Sequence, residues 1–419
     1  MIFFKKIYQN TCIVFPFIVK YHLTDQIGEI ILASEKTLAK FSLSEASYIF
    51  TFIFPLALSM AVCSGIGIAG GMLACVAACL LVSVKKTKLI MPVFTSYLIV
   101  AQTFRQFGAS TTAAAIGMSG FLLILVALTG FDFKKVVFKP VAVAIMLASA
   151  ISVTVLDTTL YFGIGATGST VGEMIDSYLS LGFHPNWRGI LYGTIVMVIM
   201  ITYPRKFKKA DTVVRAPFIG LVFTLILNYF LNPSDMITAI KEVGTYSFAP
   251  SSLIFPSFRG GLNFVGLISS GIALFVINAY SVSLEKGNSL EYAAAGGANI
   301  LSSFALGVFI PFCPRYLKNI SFSGIPAAIL TVLILVLLRD YVARIPVAAC
   351  AVILIVSAWQ SVKWGDIKKS FIDVPSLASL IAVTAFMLIF GTVRGVLFGA
   401  LCSFVCSFLP SAQHFAKED

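Results

Sequence analysis

Charged residues are scarce: Asp, Glu, Lys and Arg make up 11% of the 419 residues, where a soluble domain carries about a quarter. With 58% hydrophobic residues and a mean hydropathy of +0.96, that scarcity excludes a soluble fold. Acidic residues are fewer still, 18 against 30 Lys and Arg, and they do not cluster. The three histidines, His22, His184 and His414, are scattered and form no catalytic dyad. No phosphate-binding glycine loop occurs, and no nucleophile, base and orienting group share a related spacing. Glu285, Glu291 and Asp157 stand isolated, with Asp157 expected at the outer mouth of its span, so a membrane enzyme is the weakest reading. A disulfide framework is not expected, because the eight cysteines (Cys12, Cys63, Cys75, Cys79, Cys313, Cys350, Cys402 and Cys406) mostly lie inside apolar runs as small packing residues. Cys75/Cys79 and Cys402/Cys406 have helical i,i+4 spacing but no His or acidic partner nearby. Neither a metal nor a cofactor is expected.

What the chain does have is long apolar runs. A membrane helix needs roughly 20 apolar residues, so there is room for about 10 to 14 spans. Polar punctuation divides the chain into segments 47–64, 66–84, 90–106, 111–130, 138–157, 187–203, 214–231, 261–282, 291–310, 313–322, 324–338, 345–361, 375–390 and 392–409. The net charge of +12 does not mark a nucleic-acid surface, since the basic residues sit between apolar runs and not on one solvated face. They cluster as Lys85-Lys86-Lys88, Lys134-Lys135-Lys139, Arg205-Lys206-Lys208-Lys209 and Lys363-Lys368-Lys369. With the N-terminus inside, these follow spans 2, 4, 6 and 12, where the positive-inside rule retains them in the cytoplasm. Residues 20–45 suit an amphipathic interfacial helix, and the stretch before them lacks the small-residue cleavage pattern of a signal peptide. Segment 232–260, rich in Pro, Ser and Phe, reads as a surface or re-entrant loop.

Two segments are unlike ordinary spans. The third opens at Met91-Pro92, and the tenth is the short, basic run Phe312-Cys313-Pro314-Arg315-Tyr316-Leu317-Lys318-Asn319. Proline fits the first position of a helix, where its missing N–H would have no partner anyway. Paired interrupted segments in corresponding places of two halves point to a transporter binding site. Spans 3 and 10 are seven apart and fit a seven-plus-seven inverted repeat. Proline kinks in ordinary spans are the competing reading. Arginine inside an apolar segment costs at least about 2.5–3.5 kcal/mol and marks a pathway or a paired site. No acidic residue lies between Glu291 and Asp340, so Arg315 beside a helix N-terminus suits an anion. If the tenth segment is a loop, Arg315 is simply solvated.

Several stretches resemble the sulfate permease (SulP) anion transporters. Phe54-Pro55-Leu56-Ala57-Leu58-Ser59-Met60-Ala61, followed by Gly65 and Gly70-Gly71, resembles the family's first-span proline motif and glycine-rich second span. Met91-Pro92-Val93-Phe94 resembles the start of its third half-helix, and Gly296-Gly297-Ala298-Asn299-Ile300 its ninth span. Arg315 with Asn319 resembles an element of the tenth span, and Ile345-Pro346-Val347-Ala348-Ala349 through Trp359 the twelfth. The match covers about residues 45–410 in order and spacing.

The resemblance implies an all-α polytopic membrane protein of about 14 spans in a seven-plus-seven inverted repeat, with half-helices at spans 3 and 10. Its parts would be an interfacial segment 1–45, a core domain of 46–130 and 261–340, a gate domain of 131–260 and 341–410, and a cytoplasmic tail 411–419. An anion would sit between the half-helix starts. Arg315 and Pro314 would fall at that site, with Leu56, Met60, Val93 and Phe94 facing it, and backbone N–H groups of Val93, Phe94, Arg315 and Tyr316 would donate to the anion. Asn278 stands where the family has an acid in span 8. Leu56 replaces a polar residue, and with about ten residues after the last span no cytoplasmic STAS domain is expected. The expected function is secondary-active or facilitative transport of bicarbonate, chloride or sulfate by elevator-type movement, without a counter-carboxylate. The expected setting is the plasma or inner membrane, with both termini cytoplasmic. Homodimers are frequent in the family, and the expected partners are the anion and the bilayer. The rivals are a nucleobase symporter of the same fold and a non-transporting scaffold or sensor.

Overall fold

The computed structural model describes residues 43–66, 68–83, 93–131, 133, 136–166, 168–207, 211–231, 261–284, 289–304 and 324–407. The chain divides into Met1–Ser44 and a compact unit, Glu45–Asp419. The described residues form fifteen helices: α1 Leu43–Ser64, α2 Ile68–Ser83, α3 Val93–Thr129, α4 Lys139–Phe162, α5 Val171–Leu181, α6 Trp187–Phe207, α7 Asp211–Leu231, α8 Phe264–Leu284, α9 Ser289–Ser303, α10 Gly324–Leu337, α11 Arg339–Val342, α12 Val347–Ser361, α13 Trp364–Ser370, α14 Val374–Phe390 and α15 Thr392–Ser407. Each expected segment overlaps one of these except 313–322, which lies outside the described residues, as do the interfacial segment 20–42, the loop 232–260 and the tail from 408. The result is an integral, multi-pass, all-helical membrane protein.

Helix boundaries follow local chemistry. Pro140 opens α4, and Gly163 closes it in the left-handed conformation, its N–H bonded back to Leu160. The Asp373 carboxylate caps α14 by accepting the Ser376 N–H, with Pro375 in the first turn. The polar gap at 107–110 between the third and fourth expected segments falls on Gly108, whose φ of 78° and ψ of −179° break α3 into two halves. Only glycine adopts such a conformation without strain.

The described residues hold fewer full-length spans than the sequence count suggests. Among the described residues four helices are long and apolar enough to cross a membrane: Phe94–Thr129, Lys139–Phe162, Trp187–Phe207 and Phe264–Leu284. The pair Val347–Ser361 and Trp364–Ser370, bent by 49°, makes a fifth. Others are short. At 1.5 Å per residue, the 14 residues of α10 reach about 21 Å, less than the ~30 Å hydrocarbon core. Three helices were not expected: the short α11 and α13, and the amphipathic α5, which buries Met174 and exposes Ile175, Leu179 and Leu181.

Packing falls into two sets. α3 lies against α8 and α9, and α2 against α9 and α10; α4 lies against α12 and α14, α6 against α7 and α12, and α14 against α15. α3 and α15 also meet members of the other set, α4 and α8 respectively. Small residues allow the close approaches, as is usual between membrane helices. A Cβ on Gly120 would meet the Gly296 carbonyl oxygen at 2.5 Å, and one on Gly296 would meet that of Gly120 at 2.6 Å. Asn299 donates to Ser119 Oγ beside this contact, at 3.1 Å. Gly71 is held equally closely against Ala57 and Ala61 of α1, but Gly297 has nothing within 4 Å. Gly296→Ala is therefore expected to lower the thermal midpoint of the detergent-purified protein, at a cost of about 1–3 kcal/mol for overpacking. Gly297→Ala should leave that midpoint unchanged or raise it, because alanine is the better helix former.

The start of α5 is tied to α3. Thr170 accepts the Glu173 N–H at 3.3 Å, and Glu173 Oε2 accepts from the Ser169 N–H and hydroxyl at 2.8 and 2.6 Å, a variant of the capping box. Gln106 of α3 donates to the same Ser169 hydroxyl at 2.9 Å. These hydrogen bonds from Ser169 hold the exposed Glu173 carboxyl below its ordinary value. Its folded value thus lies below the unfolded one, so the cap is fully formed above about pH 4.3 and is lost as the pH falls through the lowered folded value. Amide exchange across 171–181 is expected to accelerate on that acidification, and Glu173→Gln to remove the pH dependence.

Candidate functional site

The site suggested by the sequence is described on one side. Leu56 and Met60 lie one turn apart on α1, each 2% exposed. Val93 opens α3, and Phe94, the next residue, is buried in the same apolar cluster as Leu56 and Met60. Asn278 lies midway along α8 and is 2% exposed; its Oδ1 accepts from Ser96 Oγ at 3.3 Å. That bond fastens the first turn of α3 to α8. Pro92, Pro314, Arg315, Tyr316 and Lys318 lie outside the described residues.

The first half of α3 carries more polar connections than the sequence reading assigned to it. Thr95 and Ser149 of α4 are 2.6 Å apart. Ser149 Oγ also lies 2.7 Å from the Ile145 carbonyl, to which it donates, so Thr95 is the donor in the first pair. Tyr97 donates to Asp157 Oδ1 of α4 at 3.1 Å. Thr103 lies 2.8 Å from Ser270 of α8 and donates to its own Ile99 carbonyl. Gln102 Oε1 accepts the Val393 N–H at 3.2 Å, which supplies a partner to one of the free amides at the start of α15. Arg105 reaches the carbonyls of Gly168 and Cys63 at 2.8 and 3.4 Å. In an apolar medium a polar group without such a partner costs several kcal/mol. This half-helix is therefore fastened to α1, α4, α8 and α15 by its own side chains.

Asp157, expected at the mouth of its span, is 1% exposed, and among the described residues its Oδ2 has no hydrogen-bond partner. Ser59, beside Met60 on α1, is also buried. The signal that could have found this surface is the run Thr95, Ser96, Gln102, Thr103, Arg105 and Gln106 within a single short apolar segment. Among the described residues no group of three His, Cys, Asp or Glu side chains is placed to hold a metal.

No protein-family model matches the chain, and no curated protein matches it in sequence. The fold, however, is that of known anion transporters. The transmembrane domain of BicA, a cyanobacterial bicarbonate transporter, aligns with a TM-score of 0.69 at 15% identity over 84% of this chain and 95% of that one. Murine Solute Carrier 26 family member A9, an anion transporter solved in the inward-facing state, aligns at 0.69 and 11% identity over 87% of this chain and 67% of its own. A second structure, of SLC26A9, aligns at 0.69 and 10% identity over 93% and 70%. The likeness to SulP transporters read from short motifs is thus matched at the level of fold, across most of the chain.

The Ser96–Asn278 bond is open to a direct test. Asn278→Leu leaves the buried Ser96 hydroxyl unpaired and is expected to cost about 1–3 kcal/mol, seen as a lower thermal midpoint in detergent. Adding Ser96→Ala should recover part of the loss, because removing both partners costs less than orphaning one.

Proposed function

We propose that this protein is a secondary transporter of a small inorganic anion, with bicarbonate, chloride and sulfate as the candidate substrates. The observation that carries the reading is the buried start of α3 at Phe94, among Leu56 and Met60, in a fold shared with transporters of bicarbonate and other anions. The first turn of a helix presents N–H groups with no intrahelical partner, and the helix dipole favours negative charge there. Arg315, together with the N–H groups of Tyr316 and its own backbone beside Pro314, would face this turn from the tenth segment. A monovalent anion paired with Arg315 is nearly neutral, so carrying it through the bilayer costs less than carrying either charge alone.

The chain is read as a fourteen-span, seven-plus-seven inverted repeat in which short helices such as α10 are half-spans or parts of bent ones. Residues 46–130 and 261–340 form a core that moves in elevator fashion against a gate of 131–260 and 341–410. The grouping of α2, α3, α8, α9 and α10 apart from α4, α6, α7, α12 and α14 supports this division. The lysine clusters after spans 2, 4, 6 and 12 support cytoplasmic termini.

Arg315→Ala in the full chain is the test of the site. Uptake of radiolabelled chloride or sulfate into proteoliposomes is expected to fall at least about tenfold, the effect of losing ~1.4 kcal/mol or more of anion binding, with expression and thermal midpoint preserved. Wild-type uptake by that variant sinks the assignment.

A further inference from the structure

Asp157 is a carboxylate enclosed in an apolar helix bundle, and the anion site as proposed gives it no task. Tyr97 donates to one of its oxygens at 3.1 Å, and among the described residues the other has no hydrogen-bond partner. A fully buried, ionised carboxylate is costly unless paired and hydrogen-bonded. Among the described residues no basic side chain bonds to it. Arg105 of α3 lies within electrostatic range but gives its hydrogen bonds to the carbonyls of Gly168 and Cys63. The other titratable groups facing this place are the buried thiols of Cys63 on α1 and, beyond it, Cys350 on α12. The charged groups on the remaining elements packed against α4 are turned elsewhere. Arg188, Glu173, Asp176 and Arg394 are exposed, and Asp366 of α13 pairs with Lys139 at 3.8 Å.

We propose that Asp157 is a proton-binding site that makes the movement of the core against the gate depend on pH, with Tyr97 as its positioning partner. This rests on the transporter reading and deepens it. Among the described residues, the hydrogen bonds between α3 and α4 are Thr95–Ser149, between neutral hydroxyls, and Tyr97–Asp157, the one with an ionisable acceptor. In the proposed division α3 belongs to the moving core and α4 to the gate. Sliding one against the other breaks the Tyr97 bond, and the carboxylate then loses that donor. A proton from the aqueous phase adds to the free Oδ2 and neutralises Asp157 while the core moves, and the same proton returns to that aqueous phase when the Tyr97 bond re-forms. The route is short: Gly163, at the end of α4, is exposed and lies about 9 Å along the helix from Asp157. A proton fits this place better than Na+, because a metal cation needs several oxygen ligands and the free acceptor here is a single carboxylate oxygen.

The test uses the full chain in proteoliposomes with radiolabelled chloride, sulfate and bicarbonate. Uptake is measured at equal pH, with the outside acidic, and with an inward Na+ gradient. For the wild type, an acidic outside is expected to raise the initial rate several-fold and the Na+ gradient to leave it unchanged. In Asp157→Asn, which mimics the protonated carboxyl, the ratio of rates with and without the pH gradient should fall to unity. In Tyr97→Phe the gradient response should persist with its pH midpoint moved. A wild type that transports anion without responding to pH overturns the inference while leaving the transporter reading intact, as does stimulation by Na+ alone. An Asp157→Asn protein that still responds to pH overturns it too. Should Asp157→Asn be inactive, Tyr97→Phe decides, and an unmoved midpoint overturns the assignment. Absence of wild-type flux for chloride, sulfate and labelled bicarbonate alike under every gradient overturns the transporter reading and the pH dependence with it.

Discussion

The constraint on which the structure depends is the need to satisfy polar groups where water is absent. The first half of α3 carries Thr95, Ser96, Tyr97, Gln102, Thr103 and Arg105, and each finds a partner on a neighbouring helix or loop. Hydrogen bonds in such surroundings are strong when made and expensive when broken. Their direction consequently determines which helices travel together. Bonds to α8 through Asn278 and Ser270 join α3 to members of its own set. Those to α4 and α15 cross to the other set, and in the proposed elevator movement they exchange.

The glycine contacts do complementary work. The mutual approach of Gly120 and Gly296 brings α3 and α9 to backbone contact, which leaves no room for sliding along that face. The second half of α3 is therefore fixed by sterics and the first half held by replaceable hydrogen bonds. The break at Gly108 separates the polar half from the apolar half that carries Gly120. This arrangement suits the proposed core, because rigidity and exchangeability lie in different halves of one helix.

Much of this was legible in the sequence. Apolar run length located the helices, and Pro92 announced the start of α3. The gap at 107–110 fell where Gly108 breaks α3. Gly71 and Gly296 are close-packed, but Gly297, which looks the same in sequence, faces open space, since only the helix phase decides which of two adjacent glycines meets a neighbour. The α5 helix was missed because its polar and apolar residues alternate at helical spacing without making an apolar run. The partner of Asp157 escaped for a different reason: its position near the end of an apolar segment suggests a mouth, and nothing local shows that Tyr97, 60 residues earlier, closes over it. Contacts between distant segments are a property of the fold, and a single sequence carries them only weakly.

The central claim is that α3 moves with α8 and against the helices packed on α4. Its most direct test is a pair of distance measurements by pulsed electron resonance in the reconstituted protein. One pair of spin labels would sit at Phe121 of α3 and Val198 of α6, the other at Phe121 and Ile268 of α8, all exposed positions. The account predicts that saturating chloride or sulfate, combined with a change of pH, shifts the distance distribution of the first pair and leaves the second unchanged. A first pair that stays fixed while labelled anion crosses the membrane would contradict it.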